Sequence, residues 1–287
     1  MADGAVASAL RALTTGKGAI MSGVAAFALV GLLNIGKASH GSSVAVSSVQ
    51  AQTAAVTDKS GAFTPDQVKS LQAIIKDYLI TNPEIMVEVT KELERKQAAE
   101  QAAKQERFMS ENKPQIFKAA GDFVLGNPAG DVTVIEFFDY NCGWCKRAVE
   151  DINKLTKADS KVRVVMKEYP IFGGPDSVLA AKAATASIKQ NKYWEFHTAL
   201  MREKQVTAAN LFTVAERVGL NVTRLKADMA DPKLDKMIEE NIKIGQELGI
   251  EGTPGFVLDA KVNVGYVNAE AMQKMLVDIR KAGCKIC

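Results

Sequence analysis

Apolar residues follow different rules in successive parts of the chain. From Gly18 to Gly36 they form an uncharged run, GAIMSGVAAFALVGLLNIG, with neither a helical nor a strand period. Arg11 and Lys17 precede it and Lys37 closes it. A basic leader before an apolar run predicts an export segment over residues 1–38, either cleaved as a signal peptide or kept as a membrane anchor. The Ser-, Ala- and Gln-rich stretch over 39–62 offers no packing face and reads as a flexible linker.

From Phe63 the pattern becomes helical. Thr64, Pro65 and Gln67 form an N-terminal capping signal, and Val68, Leu71, Ile75 and Tyr78 follow at helical spacing. Asn82-Pro83-Glu84 restarts a helix, with Ile85, Val89 and Leu93 on one stripe. Arg95 to Arg107 is built of Ala, Gln, Glu and Lys and has no apolar face. These features predict a helical stalk over 63–113. Its apolar stripes need a surface to bury on, either the main domain or further copies of the chain. The polar stretch from Arg95 to Arg107, within the stalk, predicts a spacer that sets the domain off from the apolar stripes and leaves it mobile.

The next stretch, DVTVIEFFDY, is almost continuously apolar and rich in β-branched and aromatic residues, as a buried central strand is. A helix follows through Ala148, Ile152 and Leu155, and KVRVVMKEYP reads as a second strand. From Pro175 to Leu248 the pattern is helical, with stops at Gly219 and Gly249. GTPGFVLDAKVNVGYV then reads as two short strands, and NAEAMQKMLVDIRKAG as a closing helix. The expected architecture is α/β: a βαβ unit, a helical insertion over 175–248, then ββα, within a domain over 114–283.

A hydrophobic fraction of 47% supports a sizeable core, and a net charge of +3 with no basic stripe gives no case for nucleic acid. Neither a Walker loop nor G-x-G-x-x-G occurs, so no nucleotide cofactor is expected. The chain has 4 cysteines, in two Cys-x-x-Cys pairs. Cys142 and Cys145 lie between the central strand and its helix, the setting of thioredoxin-like redox chemistry. Free N–H groups at that helix start would stabilise a thiolate on Cys142, making it the attacking sulfur, with Cys145 one turn inside to resolve. Glu136 is a carboxylate in an apolar strand, which is costly unless it has a task or a structural partner. Cys284 and Cys287 end the chain without a helix to activate them, and predict a terminal disulfide or a loose, frayed dithiol. A four-sulfur zinc site joining the pairs is disfavoured by their separation, so no metal is expected. Thr253 and Pro254 lie in a Gly-Thr-Pro-Gly turn, and His197 reads as a helix packing residue.

The element order, together with VIEFFDYNCGWCKRA, YPIFG, KYWEFHTAL and GIEGTPGFV, resembles the DsbA family of exported thiol–disulfide oxidoreductases over about Asn127 to Ala282. The stalk and the Cys-Gly-aromatic-Cys centre look more like its stalked oligomeric members, the ScsC type and Com1-like proteins, than the monomeric oxidase. The resemblance implies a thioredoxin fold with a helical insertion, preceded by the stalk. It implies that Glu136 shuttles a proton near the inner cysteine. It also implies that Pro254 is cis and faces the cysteine pair, leaving the Thr253 backbone free to pair with a substrate strand. Implied partners are cysteine-containing exported proteins and a membrane redox partner, either a DsbD-like reductase or a DsbB-like oxidase. A homotrimer and a periplasmic location, secreted or tethered to the inner membrane, follow in the same way. The chain departs from the Cys-Pro-His-Cys of the monomeric oxidase, so redox strength does not carry over. Two other readings stay open: a dithiol that captures copper(I), and a simple monomeric oxidase.

Overall fold

The structure, a computed structural model, describes residues 61–286, so the expected leader, nearly all of the linker and Cys287 lie outside the described residues. A single mixed sheet contains β1 (Phe123–Gly126), β2 (Val132–Phe138), β3 (Val162–Glu168), β4 (Gly255–Leu258) and β5 (Lys261–Val264), in the order β1-β3-β2-β4-β5. The expected central strand is β2, buried along its whole length. It pairs in parallel with β3 and antiparallel with β4. The edge strand β1 pairs antiparallel with β3 and was not anticipated. It has 4 residues and is bounded by Gly121 and Gly126, both at positive φ, so it is too short to display an alternating pattern.

Successive side chains of β2 enter opposite cores, as strand geometry requires. Val134 and Phe138 pack with the helix α4 (Gly143–Ala158), which buries Cys145, Ala148, Ile152 and Leu155 at helical spacing. Ile135 and Phe137 face the other core, with Ile116, Phe117, Ile244, Leu248 and Ile250. Glu136 therefore falls on the α4 side, between Val134 and Phe138.

The insertion consists of α5 (Pro175–Ser187), α6 (Tyr193–Arg202), α7 (Leu211–Arg217), α8 (Val222–Met229) and α9 (Pro232–Glu247). Its centre is α5, buried on most of its circumference by small residues from Ser177 to Ser187. Alanine lets α6, α8 and α9 approach it closely. The closing helix is α10 (Ala269–Ala282), capped by the Asn268 side chain accepting from the Ala271 N–H.

The stalk comprises α1 (Pro65–Thr81) and α2 (Glu84–Glu111), followed by the short α3 (Lys113–Phe117). No residue of α1 is buried, and Ile74, Ile75, Tyr78, Val89 and Leu93 are exposed. Docking of the stripes on the main domain is thus not seen. The spacer differs from expectation at its end. Gln105 Nε2 donates to the Leu248 carbonyl at 2.7 Å, and Met109 is fully buried in the second core. These contacts place the C-terminal end of the spacer against the main domain, through partners far away in sequence.

The tail also differs from the frayed one expected. Asp259, at φ 53 in the turn after β4, accepts from the N–H groups of Lys285 (2.8 Å) and Ile286 (2.7 Å) through one oxygen. Ile286 is buried in the second core, and Lys285 pairs with Glu106 of α2 at 3.2 Å. Cys284 is disulfide-bonded, whereas Cys142 and Cys145 are free. One apolar residue between two cysteines gave no hint of this docking site.

Candidate active site

The strand β2 ends at Phe138 and α4 starts at Gly143, which leaves Cys142 as the residue capping the helix, with extended backbone (φ −85, ψ 121). Its side chain therefore sits where the first N–H groups of the helix have no internal partner. The Cys142 thiol donates to the Thr253 carbonyl at 3.1 Å. Thr253–Pro254 is a cis peptide bond, so the turn before β4 and the first turn of α4 meet at the sulfur. The Cys142 pKa is lowered from 9.0 to about 5. The largest cause is a hydrogen bond from Cys145; burial opposes it, and the N–H groups of Cys145 and Trp144 add to it. Cys145 is fully buried, and burial, then Cys142 and Glu136, push its thiol far up. The pair is therefore asymmetric: an outer thiolate and an inner neutral thiol.

Glu136 is buried, and among the described residues neither carboxyl oxygen has a hydrogen-bond partner. The alternative of a paired structural acid has no counterpart here. Burial, and secondly the Cys142 charge, raise its pKa from 4.5 to about 8. Unfolded, the group ionises near the ordinary value; folded, it holds its proton up to about 8. Its contribution to stability is therefore full below the unfolded pKa and is lost as pH rises through the folded one. Relative to wild type, Glu136→Gln is expected to gain about 1.4 kcal/mol per pH unit between about pH 5 and 8. Urea unfolding of the reduced protein checks this; parallel profiles would show that Glu136 titrates normally.

Other residues at the site escaped the sequence reading. Asp139, buried at the end of β2, accepts from the Asn141 N–H (2.7 Å), the Ser177 hydroxyl (2.6 Å) and the Phe172 N–H (2.8 Å). It pins the cysteine loop to α5 and to the Pro170–Gly174 turn. A carboxylate closing an apolar strand was the available signal, the same one that singled out Glu136. Exposed Trp144 lies 5.4 Å from the Tyr266 ring, and the Arg147 guanidinium stands over both rings. The Tyr266 hydroxyl donates to Asp151 at 2.6 Å. His197 is buried, stacked on Trp194 at 5.0 Å, and burial lowers its pKa to about 3. It is a neutral packing residue. Among the described residues no group of three or more His, Cys, Asp or Glu could hold a metal ion.

A thioredoxin-like sheet carrying a Cys-x-x-Cys at a helix start, opposite a cis-proline turn, defines a thiol–disulfide oxidoreductase class. The chain belongs to the DSBA-like thioredoxin domain family, which matches residues 133–277. Residues 67–100 match the copper resistance protein ScsC N-terminal domain. Among solved structures, a thioredoxin-like oxidoreductase from Silicibacter pomeroyi DSS-3 is 40% identical with a TM-score of 0.58, over 60% of this chain and 99% of that one. ScsC of Proteus mirabilis in a transitional conformation is 26% identical with a TM-score of 0.55, over 76% of this chain and 96% of that one. Disulfide bond formation protein D of Bacillus subtilis is 27% identical over 54% of this chain and 76% of its own length. Na(+)/H(+) antiporter NhaA 3 of Salinispora tropica is 29% identical over 53% of this chain, but the match spans only 24% of that protein. Among the described residues no helix is long and apolar enough to cross a membrane.

Proposed function

We propose that the protein isomerises or forms disulfide bonds in exported proteins of the periplasm, with Cys142 attacking, Cys145 resolving, Glu136 moving the proton of the inner thiol and the Thr253–Pro254 turn receiving the client backbone. The observation that carries this is the placement of the pair: Cys142 caps α4 against the cis Thr253–Pro254 turn, and Cys145 is fully buried one turn inside, an arrangement that favours an outer thiolate and an inner thiol. The Cys142 value of about 5 lies between the ~7 of thioredoxin and the ~3.5 of DsbA. A stabilised thiolate favours the reduced form and makes the disulfide more oxidising, so chemistry alone supports oxidase work. The uncovered stripes of α1 and α2 support the other half of the reading. Three copies sharing them would present several sites to one misfolded client, held reduced by a DsbD-like membrane partner; a lone copy would suit a DsbB-like oxidase. The test measures insulin reduction and the refolding of a scrambled client in parallel. Both activities support the isomerase; oxidation of a reduced client without rearrangement of a scrambled one supports the oxidase.

A second reading draws on the match of the stalk to a copper-resistance domain and on two adjacent thiols, which suit soft copper(I). It predicts stoichiometric copper(I) binding by the reduced pair with no turnover of either client. Turnover lost on Cys142→Ser would set it aside.

A further inference from the structure

The helical insertion touches the cysteine loop at two points that the chemistry above does not use. The first is Asn141, the residue before Cys142. Its Oδ1 accepts from the Val206 N–H at 2.8 Å, and its Nδ2 donates to the Val206 carbonyl at 3.1 Å. The side-chain amide thus pairs with a backbone unit as a neighbouring strand would. Nδ2 is also 3.2 Å from the Ser177 hydroxyl. Gly173 leaves room for this: a Cβ there would come within 2.6 Å of the same nitrogen. The second point is Lys146, the residue after Cys145. Its Nζ donates to the carbonyls of Glu203 (2.5 Å) and Lys204 (2.8 Å).

Both contacts end on one short segment, Glu203–Val206, between α6 and α7. That segment is held from behind. Asn210 donates to the Gln205 carbonyl at 2.8 Å and accepts from the Thr207 N–H at 2.8 Å, and Arg217 of α7 pairs with Glu203. Val206 is fully buried.

We propose that Glu203–Val206 is a brace for the nucleophile, and that Asn141 and Lys146 are the positioning residues through which it holds Cys142 at the start of α4. The proposal rests on the reading of Cys142 as the attacking sulfur. The reasoning is geometric. The thiolate is stabilised only while its sulfur faces the N–H groups of Trp144 and Cys145 at the start of α4. Those partners belong to α4, and the backbone leading into Cys142 does not. The Asp139 carboxylate holds the Asn141 N–H, and the Asn141 side chain ties that same residue, immediately before the cysteine, to Val206. Lys146 fixes the first turn of α4 to the same segment, so sulfur and N–H groups share one reference. Its ammonium also attracts the Cys142 charge. The brace gives the insertion a task besides packing.

The test is the pH profile of Cys142 alkylation by iodoacetamide in the reduced full chain, read from the mass of the Cys142 peptide, with thermal unfolding alongside. Asn141→Ala and Lys146→Met are expected to move the midpoint of the profile up by about one pH unit, which lowers the thiolate fraction at about pH 5 roughly fivefold. Lys146→Arg, which keeps the cation and its donors, is expected to stay within about twofold of wild type. Wild-type profiles in both Asn141→Ala and Lys146→Met, with lowered melting temperatures, would overturn the brace and leave the contacts merely structural. Should Asn141→Ala not fold, Lys146→Met carries both outcomes alone. A wild-type Cys142 that titrates like a free thiol would overturn the underlying reading of the pair instead.

Discussion

Cys145→Ala is expected to turn the protein into a trap, with clients accumulating on Cys142 as mixed disulfides, whereas Cys142→Ser traps none and brings insulin reduction to background. In the reductive direction the Cys142 thiolate attacks one sulfur of a client disulfide. A bond forms to Cys142, and the other client sulfur leaves with the electron pair. Cys145 then gives up its proton and attacks the Cys142 sulfur, which frees the client. The low pKa of Cys142 does little for the first step. At pH 7 a free cysteine is about 3% ionised, so a pKa of about 5 raises the thiolate fraction roughly thirtyfold. Intrinsic nucleophilicity falls with pKa, by a factor of about 40 over the same interval. The two nearly cancel, so the low pKa adds little to attack at neutral pH. Its main effect is on the reverse step, in which a client thiol attacks the client sulfur of the mixed disulfide and Cys142 leaves with the electron pair. Resolution takes the other route: Cys145 attacks the Cys142 sulfur, a Cys142–Cys145 disulfide forms and the client sulfur leaves, and Cys145→Ala removes that route. Acid quenching followed by non-reducing electrophoresis reads the trapped species. Equal trapping by both variants would contradict the assigned order of attack.

The strand–cysteine–helix core was legible because it rests on local signals: an unbroken apolar run in β2, a helical stripe in α4, and the Cys-x-x-Cys between them. Glu136 stood out because a carboxylate in such a run is costly. Asp139, Asn141 and Lys146 did not, since polar residues beside a loop look ordinary. Their partners lie 33 to 65 residues further along the chain. Lys167 shows the same limit. It is a fully buried ammonium in β3, 2.6 Å from Asp122 and 2.9 Å from the Gln115 carbonyl. Period alone marks it as a polar interruption and cannot supply the counter-charge. The docked tail was hidden for a similar reason, because Ile286 finds its pocket only after β4 and α3 have come together.

Removal of residues 1–90 is expected to leave a monomer that still reduces insulin but no longer rearranges scrambled clients. The argument begins with the stalk surface. Ile74 is 63% exposed, Ile75 56%, Tyr78 57%, Val89 54% and Leu93 54%, in helices that find no cover among the described residues. Full burial of such a side chain gains ~1.5–3 kcal/mol, and these have a little over half of that left to gain, so covering five per copy gains roughly 4–9 kcal/mol. Three copies then gain ~12–27 kcal/mol, of the same order as two association steps costing ~4–15 kcal/mol apiece. Closed symmetry lets every copy bury its stripes at once, which favours a trimer over an open chain of contacts. Beyond Leu93, α2 continues as a polar arm of ~1.5 Å per residue to Gln105, where docking on the domain begins. The truncation spares Gln105, Glu106 and Met109, so the catalytic domain keeps every contact that joins it to the arm. Only the means of gathering several Cys142 sites around one client is lost. Light scattering of the chain from residue 39 onward decides the matter: a trimer that Ile75→Glu with Val89→Glu dissociates supports the stalk as hub. A monomer at micromolar concentration removes it, and with it the case for isomerisation over simple oxidation.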